Sequence, residues 1–353
     1  MSDQRIVTDR PGADSAAPAP ETGTTQTPPP PWRRLLSGSV GRNLGLVLAL
    51  LLLVVVGAVT APDTFTSLDN MLTILRQASI IGVISIGMTL VIISGGIDLS
   101  VGAIMGLASV VATIAAVQDL ADQLHWSVMI VIALAVGAGA GLVNGIVIAY
   151  GKVVAFMATL AMLVAARGLA EILAERRTLV VEERGFITFM NTDILGVDML
   201  IWIFAVVAAL GWVLLNRTTF GRRTVAIGGN REAARLAGID VKRHTMWLYV
   251  ISGLTAGIAA VMILGRTTAG TSTHGLLYEL DAIAAVVVGG TLLIGGRGTI
   301  TGTVFGVLIF ATLTNVFVQN NLNSSVQAVV KGVIIVVAVL LQQRFARPSG
   351  RAT

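Results

Sequence analysis

The stretch GMTLVIISGGIDLSVGAIMG, residues 87–106, interrupts a strongly apolar run with two adjacent glycines, one carboxylate and one hydroxyl. The core of a bilayer offers no water to free backbone groups, so a break between helices is tolerated there only against protein or an aqueous cavity. The stretch therefore predicts a helix break at membrane depth beside a pathway for a polar solute. Gly95, Gly96, Asp98 and Ser100 are its candidate pathway residues, and Asp98 and Ser100 also suit capping of the next helix.

The composition is that of an integral membrane protein. Hydrophobic residues make up 55% of the 353 residues and charged residues 12%, and the mean hydropathy is +0.85, whereas soluble domains are about a quarter charged. The net charge is +5, but the basic residues lie in loops between apolar segments, which indicates orientation in a membrane and no nucleic-acid partner.

Several kinds of chemistry are excluded by the residues present. The chain has no cysteine and only three histidines, in separate segments, so neither a disulfide nor a metal site is expected, and no cofactor is predicted. It also lacks a P-loop and a grouping of nucleophile, base and oxyanion donors. We therefore expect no enzyme, and any ATP hydrolysis that drives transport must belong to another chain.

The apolar segments predict an all-α, polytopic membrane protein of about ten transmembrane helices with glycine-rich broken-helix segments. About 20 residues cross the apolar core of a bilayer, and the candidate spans are residues 44–61, 71–93, 101–118, 127–149, 153–173, 198–215, 246–264, 281–294, 300–318 and 326–341. Most basic residues then fall on one side if both termini are cytoplasmic, as the positive-inside rule requires.

Three regions follow from this arrangement. Residues 1–43 hold seven of the nine prolines within their first 31 positions and predict a disordered, Pro-rich cytoplasmic tail. Residues 44–341 are expected to form the transmembrane domain, with a cytoplasmic loop at 216–245, and residues 342–353 a cytoplasmic C-terminal tail.

A second glycine break, GGRGTITG, occupies residues 295–302. Its glycines Gly295, Gly296 and Gly302 match Gly95, Gly96 and Gly102 at an offset of 200 residues. The match is consistent either with an internal repeat, as in many transporters, or with chance in a chain of 39 glycines.

Small residues also recur at four-residue spacing within the predicted spans. Gly137, Gly141 and Gly145 form one such series, and Gly253 and Gly257 another. Faces of this kind let helix backbones approach closely in a membrane.

A few polar residues lie in otherwise apolar spans. Asn144 and Thr159 either contact the solute in the pathway or hydrogen-bond a neighbouring helix. Arg167 and Glu171 are spaced to pair on one helix face, and the long side chain of Lys331 is expected to reach the outer surface.

The loop at 216–245 contains a short capped helix. Asn230 is a plausible N-cap, and residues 231–237 predict a helix that Gly238 ends in the left-handed conformation. Such a helix suits docking into a groove of another protein, while its positive charge also suits an anchor on anionic lipid headgroups.

Taken together, these motifs resemble the permease subunits of ATP-binding cassette (ABC) importers for ribose, xylose and related monosaccharides, within the superfamily of branched-chain amino acid and sugar permeases. The matching stretches are GMTLVIISGGIDLSVG (87–102), GLVNG (141–145), AARGLAE (165–171), FGRRTVAIGGNREAARLAGI (220–239) and VVVGGTLLIGGRGTITGTVFG (286–306). One departure is at Val154, Ala155, Phe156 and Ala161, where such permeases often carry a PF-I-x-TLG segment.

The resemblance implies a multi-pass plasma-membrane permease that moves a monosaccharide, such as the pentoses ribose or xylose, into the cytoplasm. Its implied partners are a cytoplasmic ATPase subunit, an extracytoplasmic sugar-binding protein, a second permease copy and membrane lipid. The residues it assigns to the ATPase-coupling loop are Gly229, Asn230, Glu232, Ala233, Ala234, Arg235 and Gly238. Two alternatives stay open: an ion-coupled secondary transporter, and an ABC permease for another small polar solute such as an amino acid, a nucleoside or a polyol.

Overall fold

The computed structural model of the chain describes residues 39–346. Most of the predicted N-terminal tail and the last seven residues lie outside the described residues. The helices are α1 (Ser39–Thr60), α2 (Pro62–Phe65), α3 (Leu68–Ile93), α4 (Val101–Val111), α5 (Ala115–Gln123), α6 (Ser127–Ala149), α7 (Ala155–Leu173), α8 (Arg184–Met190), α9 (Met199–Arg217), α10 (Thr219–Gly229), α11 (Arg231–Leu236), α12 (Val241–Thr267), α13 (Tyr278–Val288), α14 (Ile300–Gln319) and α15 (Ser324–Ala346).

Four two-residue strands accompany the helices. β1 (Leu179–Val180) pairs antiparallel with β4 (Ala269–Gly270), with Leu179 opposite Gly270. β2 (Asp193–Ile194) and β3 (Val197–Asp198) form a small hairpin before α9. These ribbons tie connecting segments together and leave the fold all-α.

Six helices in the described part of the chain are long and apolar enough to cross a membrane: α3, α6, α7, α9, α12 and α14. The pair α4 and α5 adds a seventh if it counts as one span, but it bends by 59°. Shorter apolar helical segments lie at Leu44–Thr60 and Ser324–Ile334. The prediction of a polytopic all-α membrane protein is confirmed at this level.

Three predicted segments differ from the observed helices. The span expected at 101–118 is two helices, α4 and α5, and at the break between them Thr113 O accepts a hydrogen bond from Gln118 Nε2 at 2.9 Å. The span expected at 281–294 is an 11-residue helix ending at Val288, before Gly290 adopts a φ of +89°. The predicted cytoplasmic loop ends early, since α12 begins at Val241.

Helices α3 and α12 form the centre of the bundle. In their most apolar 18-residue windows, 83% and 78% of the residues are buried, against 22% in α7 and α9. The outer helices therefore present apolar faces to lipid or to a partner, which is the pattern expected when the solvent is a bilayer.

The predicted small-residue faces lie between α6 and α12. A Cβ added to Gly137 would overlap Gly253 O and lie 2.9 Å from Gly257 Cα, and one added to Gly145 would lie 2.7 Å from Met246 O. Only glycine allows this separation of the two backbones, so the packing prediction is confirmed.

Candidate functional site

The two glycine breaks contact each other through their backbones. The chain leaves α3 at Gly95, which has a φ of +84°, and Gly295 and Gly296 have φ values of +87° and +78°. Gly296 N donates to Ile93 O at 2.8 Å, and a Cβ on Gly295 would lie 2.9 Å from Gly95 N. Glycine is therefore favoured at all three positions by the backbone conformation, and at Gly295 the close approach to Gly95 N also leaves no room for a Cβ.

A third glycine pair, at the end of α10, packs on the same point. A Cβ on Gly228 would overlap Ile93 O and lie 2.6 Å from Gly296 N. A Cβ on Gly296 would lie 3.1 Å from Gly229 Cα. We call Gly95, Gly96, Gly228, Gly229, Gly295 and Gly296 the glycine junction. It joins the segment just before α11 directly to both breaks.

Asp98 lies next to the junction and is completely buried. Its Oδ1 accepts hydrogen bonds from Ser100 N at 3.0 Å and from Ser100 Oγ at 2.5 Å, and its Oδ2 accepts one from Ser252 Oγ at 2.8 Å. Asn144 Nδ2 donates to Ser100 Oγ at 2.9 Å. The carboxylate thus connects the first break to α12 and, through Ser100, to α6.

The capping prediction needs a correction at Ser100. Ser100 is the N-cap residue of α4, but its side chain makes no capping hydrogen bond; the hydroxyl donates to Asp98 and its oxygen accepts from Asn144 Nδ2. Asp98 does accept a free backbone N–H, that of Ser100.

The backbone carbonyl of Ile97 is the other polar feature of the break. Tyr249 OH donates to Ile97 O at 3.3 Å, and Thr159 Oγ1 lies 3.5 Å from the same oxygen while also donating to Ala155 O at 2.9 Å. The four predicted polar pathway residues, Asp98, Ser100, Asn144 and Thr159, are therefore brought together, and all are buried in this conformation.

Sequence reasoning missed three residues of this site. Ser252 and Tyr249 lie on α12, and Gly228 precedes the predicted coupling residues. The available signals were a serine next to the small-residue series of α12 and the Gly-Gly pair at residues 228–229, outside the two breaks.

The predicted capped helix is present as α11. Asn230 Oδ1 accepts from Ala233 N at 3.0 Å, and Gly238 has a φ of +81° while Ile239 N donates to Ala234 O at 3.1 Å. The helix ends at Leu236, one residue earlier than predicted. Within this helix the side chain of Ala234 is buried, whereas that of Leu236 is 80% exposed.

Glu232 and Arg235 form an ion pair on the surface of α11. Arg235 Nε lies 2.9 Å from Glu232 Oε2, and both side chains are mostly exposed. Such pairs contribute little to stability, so these charges are available to a partner.

A second polar cluster lies at the other end of α7. Arg167 donates to Ser272 O, and to His274 O at 2.9 Å, and His274 Nδ1 lies 3.2 Å from Ser109 Oγ. Burial, together with the charge of Arg167, lowers the pKa of His274 to about 4, so the imidazole is neutral at pH 7.

Two other charged residues also differ from expectation. Glu171 lies 3.7 Å from Arg176 and forms no ion pair with Arg167. Lys331 Nζ lies 3.3 Å from Asp281 Oδ2, with both side chains mostly buried, so it pairs with α13 and does not reach for the surface. Within residues 39–346, no group of three His, Asp or Glu side chains is arranged to hold a metal ion.

Comparisons with known proteins agree on one type of protein. The family model described as "Branched-chain amino acid transport system / permease component" matches residues 70–339. The ribose import permease protein RbsC of Bacillus subtilis is 40% identical over 314 residues, covering 88% of this chain and 96% of that protein. RbsC of Escherichia coli K12 is 38% identical, covering 84% and 92%.

An arabinose permease is similar over nearly the same length. The L-arabinose transport system permease protein AraH of Escherichia coli K12 is 36% identical over 314 residues, covering 87% of this chain and 92% of that protein. No solved structure gives a significant match.

Proposed function

Since this chain belongs to the family of permease components of branched-chain amino acid transport systems, we propose that it is the membrane-spanning subunit of an ABC importer that brings a pentose such as ribose into the cytoplasm. It is a multi-pass protein of the plasma membrane. The inference that the solute is a sugar rests on the ribose and arabinose permeases to which the chain is 36–40% identical.

The observation that carries the proposal is the glycine junction. It places the end of α10, one residue before α11, in backbone contact with both breaks of the spanning region. A movement imposed on α11 from the cytoplasm reaches the breaks without any intervening side chain. A pathway that is gated by a separate motor protein requires such a connection.

In this mechanism the described conformation is closed. Asp98, Ser100, Asn144 and Thr159 are buried and bond to one another or to backbone, so none of them faces a solute. When α10 withdraws from the junction, the same hydroxyl, amide and carboxylate groups become available to sugar hydroxyls. The permease needs only a weak site, because selectivity comes from the delivering protein and a tight site would slow release.

The partners follow from the family and from the surfaces of the chain. An ATPase subunit docks on α11 through the exposed Leu236 and the Glu232–Arg235 pair, with Ala233, Ala234 and Gly238 shaping the helix. A sugar-binding protein delivers the solute from the extracytoplasmic side, and a second copy of the chain and lipid cover the exposed apolar faces.

The finer topology is part of the same proposal. Adding α1, α13, α15 and the bent pair α4 and α5 to the six long helices brings the crossings to ten, with both termini in the cytoplasm. The permease domain then comprises residues 44–341, between cytoplasmic tails at 1–43 and 342–353.

An ion-coupled secondary transporter is the second candidate function. The observation that favours it is the Asp98 carboxylate, which is fully buried and which no described basic side chain pairs with. Ionisable groups at membrane depth are typical of coupling sites. An ion-coupled carrier, however, does not need a capped cytoplasmic helix such as α11 that is joined to the breaks.

Uptake by proteoliposomes separates these functions. The permease is reconstituted with its ATPase subunit and sugar-binding protein, and labelled ribose, arabinose, xylose and leucine are supplied. Pentose uptake that requires ATP and survives collapse of the ion gradients supports the importer. Uptake without ATP that follows a proton or sodium gradient overturns it, and ATP-driven uptake of leucine alone overturns the choice of solute.

A further inference from the structure

A cavity of about 500 Å³ lies where the first break, the turn between α6 and α7, and helices α11 and α12 meet. Gly95 and Gly96 form part of its wall, and so do residues of α11 and the first turn of α12. Its volume is within the range of small-molecule sites, about 300–1,000 Å³. The closed network around Asp98 does not occupy it, since that network involves other side chains.

The polar side of the cavity is basic. Lys152, Arg231, Arg235 and Lys242 line it, with Glu232 as the only lining carboxylate among the described residues. Glu232 pairs with Arg235 at 2.9 Å, whereas no described carboxylate lies within 4.0 Å of the charged groups of the other three. Three cations without partners around one cavity favour an anionic ligand.

The other side of the cavity is apolar. Ile148 and Ala149 lie at the end of α6, and Val153 and Val154 precede α7. The side chains of Val153 and Val154 are 40% and 69% exposed. Lys152 lies between them in the left-handed conformation, with a φ of +59°. Because α6 and α7 both cross the membrane, this turn lies at the level of the lipid headgroups.

We propose that this cavity, the basic cavity, binds the phosphate of an anionic phospholipid. Lys152, Arg231 and Lys242 bind the phosphate, and the acyl chains leave along Val153 and Val154. An inorganic anion would make no favourable contact with the apolar wall. An acidic peptide segment would leave Val153 and Val154 exposed. The lipid would touch Gly95 and Gly96, so it sits against the break. This lipid-binding proposal requires that the chain is inserted in a membrane, and it does not require that the chain is part of an importer.

Native mass spectrometry of the full-length protein in detergent tests the binding. Phosphatidylglycerol is titrated in, with phosphatidylcholine of the same acyl chains as the zwitterionic comparison and inorganic phosphate as the soluble competitor. We expect phosphatidylglycerol to bind at least tenfold more tightly than phosphatidylcholine, and millimolar phosphate not to displace it. Displacement of the lipid by phosphate would make a soluble phosphate compound the ligand and would overturn the lipid assignment.

Matched variants locate the site. The triple variant Lys152→Gln, Arg231→Gln and Lys242→Gln removes the three unpaired cations. The control variant Arg222→Gln, Arg223→Gln and Arg243→Gln removes three exposed cations of α10 and α12 that do not line the cavity. At about fivefold per charge, the cavity variant should weaken phosphatidylglycerol binding about 100-fold and the control less than fivefold.

Equal weakening by the two triple variants would mean general surface attraction and would overturn the proposal. Unchanged lipid binding, with loss of ATPase binding in the cavity variant alone, would mean that the cavity accepts an acidic segment of the ATPase, and would overturn it too. If the cavity triple variant fails to fold, Lys152→Gln and Lys242→Gln are measured singly, each with an expected fivefold loss.

Discussion

Replacing Gly228 by alanine tests the connection between α11 and the breaks most directly. The added Cβ would overlap Ile93 O and lie 2.6 Å from Gly296 N, whereas atoms in van der Waals contact are about 3.5 Å apart. Both obstructing atoms belong to the backbone, so no side-chain rotation relieves the overlap. Helix α10 must therefore withdraw by more than about 1 Å to restore normal van der Waals separation, because the overlap with Ile93 O is deeper than that with Gly296 N.

The expected magnitude follows from the overpacking. Overpacking of a tight contact costs about 1–3 kcal/mol, and because α10 takes no part in the hydrogen bond from Gly296 N to Ile93 O, that bond adds no further cost when α10 withdraws. The closed junction is then destabilised by about 1–3 kcal/mol, and 2 kcal/mol is already about 30-fold in an equilibrium constant. We expect ATP-driven pentose uptake to fall at least tenfold.

The neighbouring residue provides the control. A Cβ on Gly229 would meet nothing within 4 Å, so Gly229→Ala should transport nearly as well as the unmodified protein. Uptake into proteoliposomes is measured alongside binding of the purified ATPase subunit, which Gly228→Ala should retain because the surface of α11 is unchanged. Normal uptake by Gly228→Ala, or equal losses in the two variants, would refute the role given to the junction.

Three further predictions concern packing, the buried network and pH. Gly137→Ala, whose Cβ would overlap the backbone of α12, should lower the thermal unfolding temperature, whereas Gly139→Ala should not because nothing lies within 4 Å of its Cβ; equal temperatures would contradict the packing argument. Asp98→Ala should destabilise the protein by about 1–3 kcal/mol more than Asp98→Asn, since alanine leaves the buried Ser100 and Ser252 hydroxyls without their acceptor; chemical denaturation compares the two. Because the folded-state pKa of His274 lies near 4, below its ordinary 6.5, its stabilising contribution is present above pH 6.5 and is lost as the pH falls towards 4. Thermal unfolding should therefore depend less on pH between 7 and 5 in His274→Gln, and an unchanged dependence would contradict this.

Local sequence features predicted the helical class, the two breaks and the capped helix. The N-cap at Asn230 and the left-handed Gly238 depend on contacts within a few residues, which is why α11 lies within one residue of its predicted bounds. The register of the two breaks at an offset of 200 residues was visible in the sequence, but their contact was not.

Two predictions of side-chain contacts failed because the partners lie far along the chain. The spacing predicts that Arg167 pairs with Glu171, four residues away, but its donors go to the carbonyls of Ser272 and His274, more than 100 residues on. Lys331 is expected at the outer surface, but its Nζ lies 3.3 Å from Asp281 of α13. Periodicity shows on which face of its own helix a charged residue lies. It does not show which other helix packs against that face.

The sequence by itself determined that this chain crosses a membrane many times and that glycine interrupts its helices at two places, because hydropathy and backbone freedom are properties of neighbouring residues. Only the tertiary structure decided that three Gly-Gly pairs meet at one point, and that Asp98 bonds to Ser252, 154 residues away. In a membrane, helices of equal hydrophobicity have no solvent-driven preference for one neighbour over another, so close packing and hydrogen bonds select which helices touch.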